Sequence, residues 1–557
     1  MAVRAPCVRL SRSILSIPHL QSVRFLLLLC CFECTTQRGS QDGHQSSKLT
    51  FVETILNKRI LLSLQIISLL SSFSLAQQFP RNQSGVAGGQ APREAIQIPF
   101  VNKTLRNGLE IIVLPDSTVP IVTVEVAVKN GSYTEPPELN GLSHLYEHMF
   151  FKSNAATALY RCDLFGKYNR ADLFRDFNCG ETLKLRNTLG DVSYLDEADR
   201  IGLLRNGTTQ EEYVNYFFTS TSGNLPLLMK MMRDSLLFPS FDEEEFGREK
   251  EVVIGELDRN LSEPGYYLDR TMMDRLFFRY PSRKSPGGNR ETVGSATTSK
   301  MRLIQSRYYI PNNSALIVTG DVDPQRVFSI AEEFFSAWKP GADPFREFPL
   351  VDHPPLPKSE GHIVKQDVEN VILQLGWHGP SVGKDDESTY AADVFSNIVG
   401  QPNSKFQRSL IDAGLAASIT VHYYTQRNVG PIRITMVTTA EKAKAALAAL
   451  YAEINRFGDV DYFTDEELES AKNLLESEDL YSREKLSEYT HSLGFWWSST
   501  GVDYFRSYHR NLRAVNRKSI ERYLKTYLIG KNHITVALIS DSDLKASGIT
   551  SGDLVGR

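Results

Sequence analysis

Two histidines and a glutamate stand within five positions of the chain, in the order His144-Leu145-Tyr146-Glu147-His148. On an α-helix, positions four apart lie on one face, so both imidazoles can reach a single ion. Glu147 lies beside them and can face the same ion. This order of residues is typical of zinc peptidases with an inverted motif, in which the glutamate serves as general base. An ordinary helix with two histidines and a solvated glutamate would give the same five letters.

A catalytic zinc ion needs a third protein ligand and an open position for water. The best candidate segment is EEEFGREKEVVIGELDRN (243–260), in which acidic and apolar residues alternate with helical spacing. Glu249 and Glu256 are two helical turns apart and therefore share a face. A charged amphipathic helix without any ligand accounts for the same pattern. The residues alone leave the third ligand open.

The elements around these residues predict a mixed α and β protein. LEIIVLP (109–115) and IVTVEVAV (121–128) have the composition of strands, and we expect them to form a hairpin about Asp116-Ser117. The pattern becomes helical at GLSHLYEHMFF (141–151), where Ser143 is a candidate N-cap. The motif is therefore predicted to lie on a helix that follows a strand.

The sequence also repeats itself. YIPNNSALIVTGD, from Tyr309, resembles YLIGKNHITVALISD, from Tyr527, and IVTVEVAVKNGS resembles VILQLGWHGPS. The two offsets differ, which leaves roughly thirty extra residues in the first copy. We interpret 157–192, which has no clear period, as a surface insertion. Both cysteines outside the leader, Cys162 and Cys179, lie in it, and they form one disulfide or stay two thiols.

These patterns predict an α+β protein with two similar halves and several connecting segments. The expected layout is a leader over 1–78, a linker over 79–97, a catalytic domain over 98–342, a second linker over 343–361 and a C-terminal domain over 362–557.

The leader carries a secretory pattern. Lys58-Arg59 precedes the apolar run ILLSLQIISLLSSFSLA (60–76), which predicts a periplasmic or secreted protein that meets a membrane only through an uncleaved signal. An Arg-rich, acid-free head over 1–32 fits a mitochondrial transit peptide as the alternative. The net charge of −4 among 557 residues disfavours nucleic acid as a partner.

The chain resembles the pitrilysin family of inverzincin metallopeptidases, in particular its bacterial processing-peptidase-like members. The matching passages are TLRNGLEIIVLPDSTVP (104–120), GLSHLYEHMFFKSN (141–154), NGTTQEEYVNYFFT (206–219), GREKEVVIGELDRN (247–260) and YYIPNNSALIVTGDVDP (308–324). They stand in the family's order, and the resemblance covers nearly all of 95–555. It implies two homologous α+β domains that form a clamshell, and a zinc-dependent endopeptidase acting on peptides or unfolded polypeptides.

The resemblance also implies roles for individual residues. His144, His148 and Glu256 would hold one Zn²⁺ per chain, with Glu147 as the base and Glu249 as a supporting carboxylate. Asn206, Gly207 and Thr208 would belong to an edge strand to which a peptide substrate adds as a further strand. Tyr216 also matches, but an aromatic residue on a strand is more often a packing residue.

Two departures, the insertion at 157–192 and a missing substrate clamp, keep another function open. Relatives carry an Arg and a Tyr that clamp the substrate, whereas Leu410 and Ala417 stand at those places here and Arg408 is out of register. The second half also has no metal motif. Some relatives work in pairs, so a homodimer or heterodimer with a second pitrilysin-like chain is a hypothesis, and a non-catalytic or partner-dependent subunit is the alternative function. A metal-dependent hydrolase of non-peptide substrates is a more remote reading.

Overall fold

The computed structural model describes residues 97–189 and 199–556. The predicted leader, with its signal segment at 60–76, lies outside the described residues, as does the end of the predicted insertion. Within the described ranges, no helix has both the length and the apolar composition needed to cross a bilayer.

Two mixed sheets organise the described chain. The strands of the first are β1 (Val101–Thr104), β2 (Glu110–Pro115), β3 (Ile121–Val128), β4 (Leu204–Thr209), β5 (Val214–Thr221) and β6 (Ser314–Gly320). The strands of the second are β7 (Glu360–Lys365), β8 (Val371–His378), β9 (Ser418–Tyr423), β10 (Pro431–Thr438) and β11 (Ile534–Ile539). The spatial orders are β1-β2-β6-β3-β5-β4 and β7-β11-β8-β10-β9. Apart from β1, the second order repeats the first strand for strand, and in each sheet one pair, β2 with β6 and β7 with β11, is parallel.

Helices cover both sheets. The first half contains α1 (Leu142–Phe150), α2 (Ala155–Lys167), α3 (Ala171–Asp176), α4 (Cys179–Thr182), α5 (Arg186–Leu189), α6 (Leu225–Leu237), α7 (Glu243–Asn260), α8 (Pro264–Leu276), α9 (Arg290–Gly294), α10 (Thr298–Tyr308), α11 (Pro324–Phe335) and α12 (Pro344–Glu347). The second half contains α13 (Asp386–Gly400), α14 (Lys405–Gln407), a π-helical turn (Arg408–Asp412), α15 (Ala443–Arg456), α16 (Asp465–Ser482), α17 (Leu486–Ser499), α18 (Val502–Ala514), α19 (Arg517–Tyr527) and α20 (Asp541–Ser547). The predicted α+β fold with two similar halves agrees with this architecture.

The expected hairpin between β2 and β3 is wrong, because β6 lies between them. β2 pairs with β6 in parallel, and β3 pairs with β6 antiparallel. The connection at 116–120 crosses the end of β6, where Asp116 N–H donates to the Gly320 carbonyl at 2.8 Å. Both strands are buried over most of their length, as central strands are, and a sequence pattern does not reveal which strand fills a gap between two others.

Each sheet buries apolar side chains on both faces. In β2, Ile111 and Val113 belong to the main core of the first half, while Ile112 and Leu114 face a second cluster. This second cluster is completed by α17, which belongs to the second half, through Tyr489, Leu493 and Trp497. Full burial of one such large apolar side chain contributes about 1.5–3 kcal/mol.

The exchange is reciprocal. Helix α8 of the first half packs on the second sheet, where Leu268, Met272 and Leu276 contact the face of β11 that carries Val536 and Leu538. Helices α8 and α17 occupy equivalent places in the two halves, since each follows an 18-residue helix, α7 or α16. Each half therefore supplies one helix to the core of the other.

A buried polar cluster accompanies the exchanged helix α17. Glu125, on β3, is completely buried and accepts a hydrogen bond from the Tyr213 hydroxyl at 2.5 Å. The same carboxylate pairs with the ring of His491 on α17. A buried carboxylate requires such partners, so the position of α17 on the first sheet is fixed by polar contacts as well as by apolar packing.

The predicted insertion consists of short helices in its described part. Helix α2 is capped by Asn154, whose side chain accepts hydrogen bonds from the Ala156 and Thr157 N–H groups. A disulfide joins Cys162 on α2 to Cys179 on α4. Much of this segment is exposed, which explains why no apolar period is readable in it.

Candidate metal centre

The metal motif lies on α1, as the sequence predicts. The N-terminus of this helix is capped by Glu135, whose carboxylate accepts hydrogen bonds from the N–H groups of Gly141 at 2.8 Å and Ser143 at 2.6 Å. The expected cap by Ser143 is wrong, because the helix begins at Leu142 with Gly141 at the N-cap position, and no side chain makes a capping hydrogen bond from that position. A carboxylate close to a helix N-terminus is favoured by the unpaired N–H groups and by the helix dipole.

Helix α7 brings the third donor to α1. Glu256 Oε2 lies 3.7 Å from His144 Nε2 and 3.6 Å from His148 Nε2. The ring centroids of the two histidines are 5.0 Å apart and nearly perpendicular. Three donor atoms from two helices therefore converge on one point, and no other group of this kind is found among the described residues.

This donor set fits a zinc ion. Tetrahedral bonds of about 2.0–2.1 Å place neighbouring donor atoms roughly 3.3 Å apart, close to the observed separations. Burial, together with the neighbouring His148, lowers the pKa of His144 to about 4, so its imidazole is neutral near pH 7 as a ligand must be. Two imidazoles and one carboxylate are also a ligand set of catalytic zinc sites.

The other nitrogen of His148 is held by a chain of charged groups. Its Nδ1 lies 3.2 Å from Glu249 Oε2, and the second oxygen of Glu249 lies 2.6 Å from Lys152 Nζ. Glu249 is largely buried, and Lys152 supplies the positive charge that a buried carboxylate needs. A carboxylate that accepts from Nδ1–H fixes the tautomer of the ring and directs Nε2 toward the metal position. Sequence reasoning missed Lys152, which follows His148 by four residues.

We expect Lys152→Met to weaken zinc binding by about tenfold, because Glu249 would lose its counter-ion and hold His148 less firmly. Competition against a chromophoric chelator measures this affinity. Lys152→Arg keeps the charge and should restore most of the affinity. Equal affinity of the Met variant and the unmodified chain would show that Lys152 does not support the ligand.

Glu147 faces the edge strand β4. Burial raises the pKa of its carboxyl group, and a hydrogen bond from Thr209 Oγ1 to Glu147 Oε2, at 2.7 Å, acts in the opposite direction. Gly207 faces the same side chain, and a Cβ atom there would lie 2.8 Å from Glu147 Cγ. Only glycine lets strand and helix approach this closely. Thr209 was not predicted, although it directly follows the predicted residues.

β4 is the free edge of the first sheet, since it pairs only with β5 among the described strands. Side chains alternate along a strand, so Gly207 and Thr209 face Glu147 while Asn206 and Thr208 point to the other side and are exposed. Tyr216, opposite Gly207, is fully buried and stacks on Phe150 at 3.7 Å. This environment agrees with its interpretation as a packing residue.

In the second half, the positions at which the resemblance implies a substrate clamp carry no arginine or tyrosine. Leu410 is completely buried, and Ala417 is exposed but has no functional group. Arg408 is exposed in the π-helical turn. Helix α13, which corresponds to α1, contains no histidine.

Comparisons with known proteins identify the family of the chain. Residues 111–160 and 185–280 match the family description "Insulinase (Peptidase family M16)", and residues 295–475 match "Peptidase M16 inactive domain". Together these matches take in more than half of the chain. The chain belongs to peptidase family M16. This confirms the resemblance to the pitrilysin family. The first match passes over 161–184, within the predicted insertion, and the inactive-domain match begins in the first half and includes part of the half without a metal motif.

Individual relatives and one solved structure are similar to large parts of this chain. The Bacillus subtilis protein named uncharacterized zinc protease YmxG is 25% identical over 386 residues, which are 68% of this chain and 84% of the relative. A mitochondrial-processing peptidase subunit beta from Lentinula edodes is 21% identical over 477 residues, 82% of this chain and 93% of the relative. The crystal structure of a protease from Helicobacter pylori superposes with a TM-score of 0.66 at 20% identity, over 79% of this chain and 99% of that one. The predicted fold of two homologous α+β domains is thereby confirmed.

Proposed function

We propose that this M16 chain is a zinc-dependent endopeptidase that hydrolyses peptides or unfolded polypeptides. The observation that carries the proposal is the convergence of His144, His148 and Glu256, with a fourth side chain, Glu147, beside them on the same helix. The names of relatives, which include zinc proteases, support zinc as the metal.

The four side chains have separable tasks. Zinc held by the three ligands would supply the Lewis acidity that makes water a nucleophile near neutral pH. Glu147 accepts the proton of the attacking water and delivers it to the leaving amine. Its raised pKa suits both steps, because a base with a pKa nearer to neutrality can also return the proton. The Thr209 hydroxyl holds the carboxylate in place.

The substrate would bind along β4. The free edge of this strand offers unpaired backbone N–H and C=O groups to an extended chain, and backbone pairing tolerates many side chains. Asn206 and Thr208 are the exposed side chains beside such a peptide, and Gly207 leaves room between β4 and Glu147. This mode requires an unfolded substrate, since a folded one has no free strand of sufficient length.

Zinc removal tests the proposal. The purified chain should cleave an unstructured fluorogenic peptide, lose this activity after dialysis against a chelator, and regain it with about one equivalent of Zn²⁺ per chain. Peptide mass spectrometry distinguishes endopeptidase cleavage from trimming of the ends. A zinc-loaded chain that cleaves no unstructured peptide would contradict the proposal.

The second candidate function is a non-catalytic or partner-dependent subunit. It is favoured by Leu410 and Ala417, which stand where relatives have their clamp, and by the similarity to a chain that is named a subunit. Cleavage that begins only when a second M16 chain is added would support it. We further propose export of the protein on the basis of the pattern at 58–78, with a mitochondrial address as the alternative.

A further inference from the structure

A cavity of about 550 Å³ lies in the second half, between α13, β9, α16 and α17. These elements correspond to those around the metal centre: α13 to α1, edge strand β9 to β4, and α16 to α7. The cavity thus occupies the place in the metal-free half that the metal centre occupies in the first half.

Aromatic rings form much of the wall. Tyr424 and Phe495 stack with centroids 6.0 Å apart, Trp496 lies 5.4 Å from Phe495, and Tyr508 lies 5.3 Å from Trp496. The faces of such rings carry partial negative charge and attract cations.

The wall of the cavity carries acidic side chains. It contains the carboxyl groups of Asp393 and Glu478, and no Lys or Arg is among the described residues that line it. Burial lowers the pKa of His422, so this imidazole adds no positive charge near pH 7. Asp393 accepts a hydrogen bond from the Tyr508 hydroxyl at 2.7 Å, and burial raises its pKa to about 7. Ser396 Oγ is buried without a hydrogen-bond partner in the described chain.

Burial favours the neutral form of the Asp393 carboxyl group, as its raised pKa indicates, and a bound cation would favour the charged form. Aromatic faces, carboxylates and an unpaired hydroxyl together form a site for a guanidinium or an ammonium group.

The cavity is also connected to the candidate substrate strand. The hydroxyl of Tyr424 donates to Gln210 Oε1 at 2.7 Å, and Gln210 directly follows Thr209 at the end of β4. A polypeptide that lies along β4 and continues past its end would meet the wall of the cavity.

We propose that this cavity binds an arginine or lysine side chain of a polypeptide held by the protein, between the carboxylates of Asp393 and Glu478 and the ring of Trp496. The proposal rests on the proposed function only in taking the ligand to be a polypeptide. It adds a second recognition site, for a basic residue, in the half without metal.

Binding of matched peptides tests this inference without any cleavage. Glu147→Gln protein, loaded with zinc, is titrated with a labelled unstructured peptide that contains one arginine, and with the same peptide carrying neutral citrulline instead. We expect the arginine peptide to bind about tenfold more tightly, as expected for a charge-assisted contact. Asp393→Asn combined with Glu478→Gln should reduce this preference to less than about twofold.

Two further measurements complete the test. Glu478 is exposed at the rim, so Glu478→Gln alone should stay folded and reduce the preference about threefold, whereas Glu466→Gln, an exposed carboxylate elsewhere on α16, should leave it unchanged. Equal binding of the two peptides, or a preference that survives in the double variant, would overturn the inference. Equally tight binding of free arginine amide would overturn the assignment to a polypeptide. If the unmodified chain cleaves no peptide but the preference is retained, only the proposed function is contradicted.

Discussion

Glu147→Gln is expected to lower the rate of peptide cleavage by about 10²–10⁴-fold while about one zinc per chain remains bound. The amide has the shape of the carboxylate but cannot accept a proton from water. Glu147 is not one of the three converging donors, so zinc affinity should change little. The Thr209 hydroxyl, 2.7 Å from Glu147 Oε2, can donate equally to the amide oxygen, so the local structure should persist. Steady-state cleavage of a fluorogenic peptide and zinc content by atomic absorption give the two readouts.

Glu251→Gln is a matched control for this variant. Glu251 is an exposed glutamate on α7, outside the converging group, and its replacement should leave cleavage and zinc content unchanged. A Glu147→Gln enzyme that retained nearly full activity would assign the proton transfer to another group and remove the central role given to α1.

Glu256→Gln is expected to abolish zinc binding and cleavage together. The Glu256 carboxylate is the only anionic donor of the group, and a neutral amide oxygen is a much weaker ligand for zinc. Loss of a direct ligand should weaken affinity by more than the roughly 10–100-fold seen when outer partners of ligands are replaced. Competition with a chelator measures the affinity, and the cleavage assay is repeated with excess zinc.

The contrast between the two variants is the informative result. Glu147→Gln should give an inactive protein that contains zinc, and Glu256→Gln should give an inactive protein without zinc. Glu251→Gln should resemble the unmodified chain in both activity and zinc content. Unchanged zinc affinity in Glu256→Gln would mean that another carboxylate holds the ion.

The local sequence pattern predicts helix α1 and the common face of His144 and His148, because these two residues are four positions apart. It cannot assign Glu256, which lies on another helix, and only the resemblance to known metallopeptidases selected it over Glu249. Lys152, Thr209 and Glu135 were missed for a related reason. Each acts through a hydrogen bond or ion pair that exists only after the strand, the loop and the two helices have packed together.

The prediction of the fold from the sequence has the same limit. The internal repeat predicts two similar halves, and the matching strand orders agree with it. The placement of β6 between β2 and β3 was not predictable, because pairing between strands so far apart in the sequence leaves no local signal. The exchange of α8 and α17 was also invisible, since an amphipathic helix shows that it has an apolar face but not which sheet covers it.

The exchange of helices α8 and α17 bears on the origin of the chain. Two identical subunits that each lend a helix to the other form a closed pair, and fusing their genes would give the present reciprocal arrangement in one polypeptide. The half without a His-x-x-Glu-His motif then has a structural role in the fold. Without α17, Ile112, Leu114 and Ile317 of the first sheet would be exposed to water, so the second half forms part of the interior of the first.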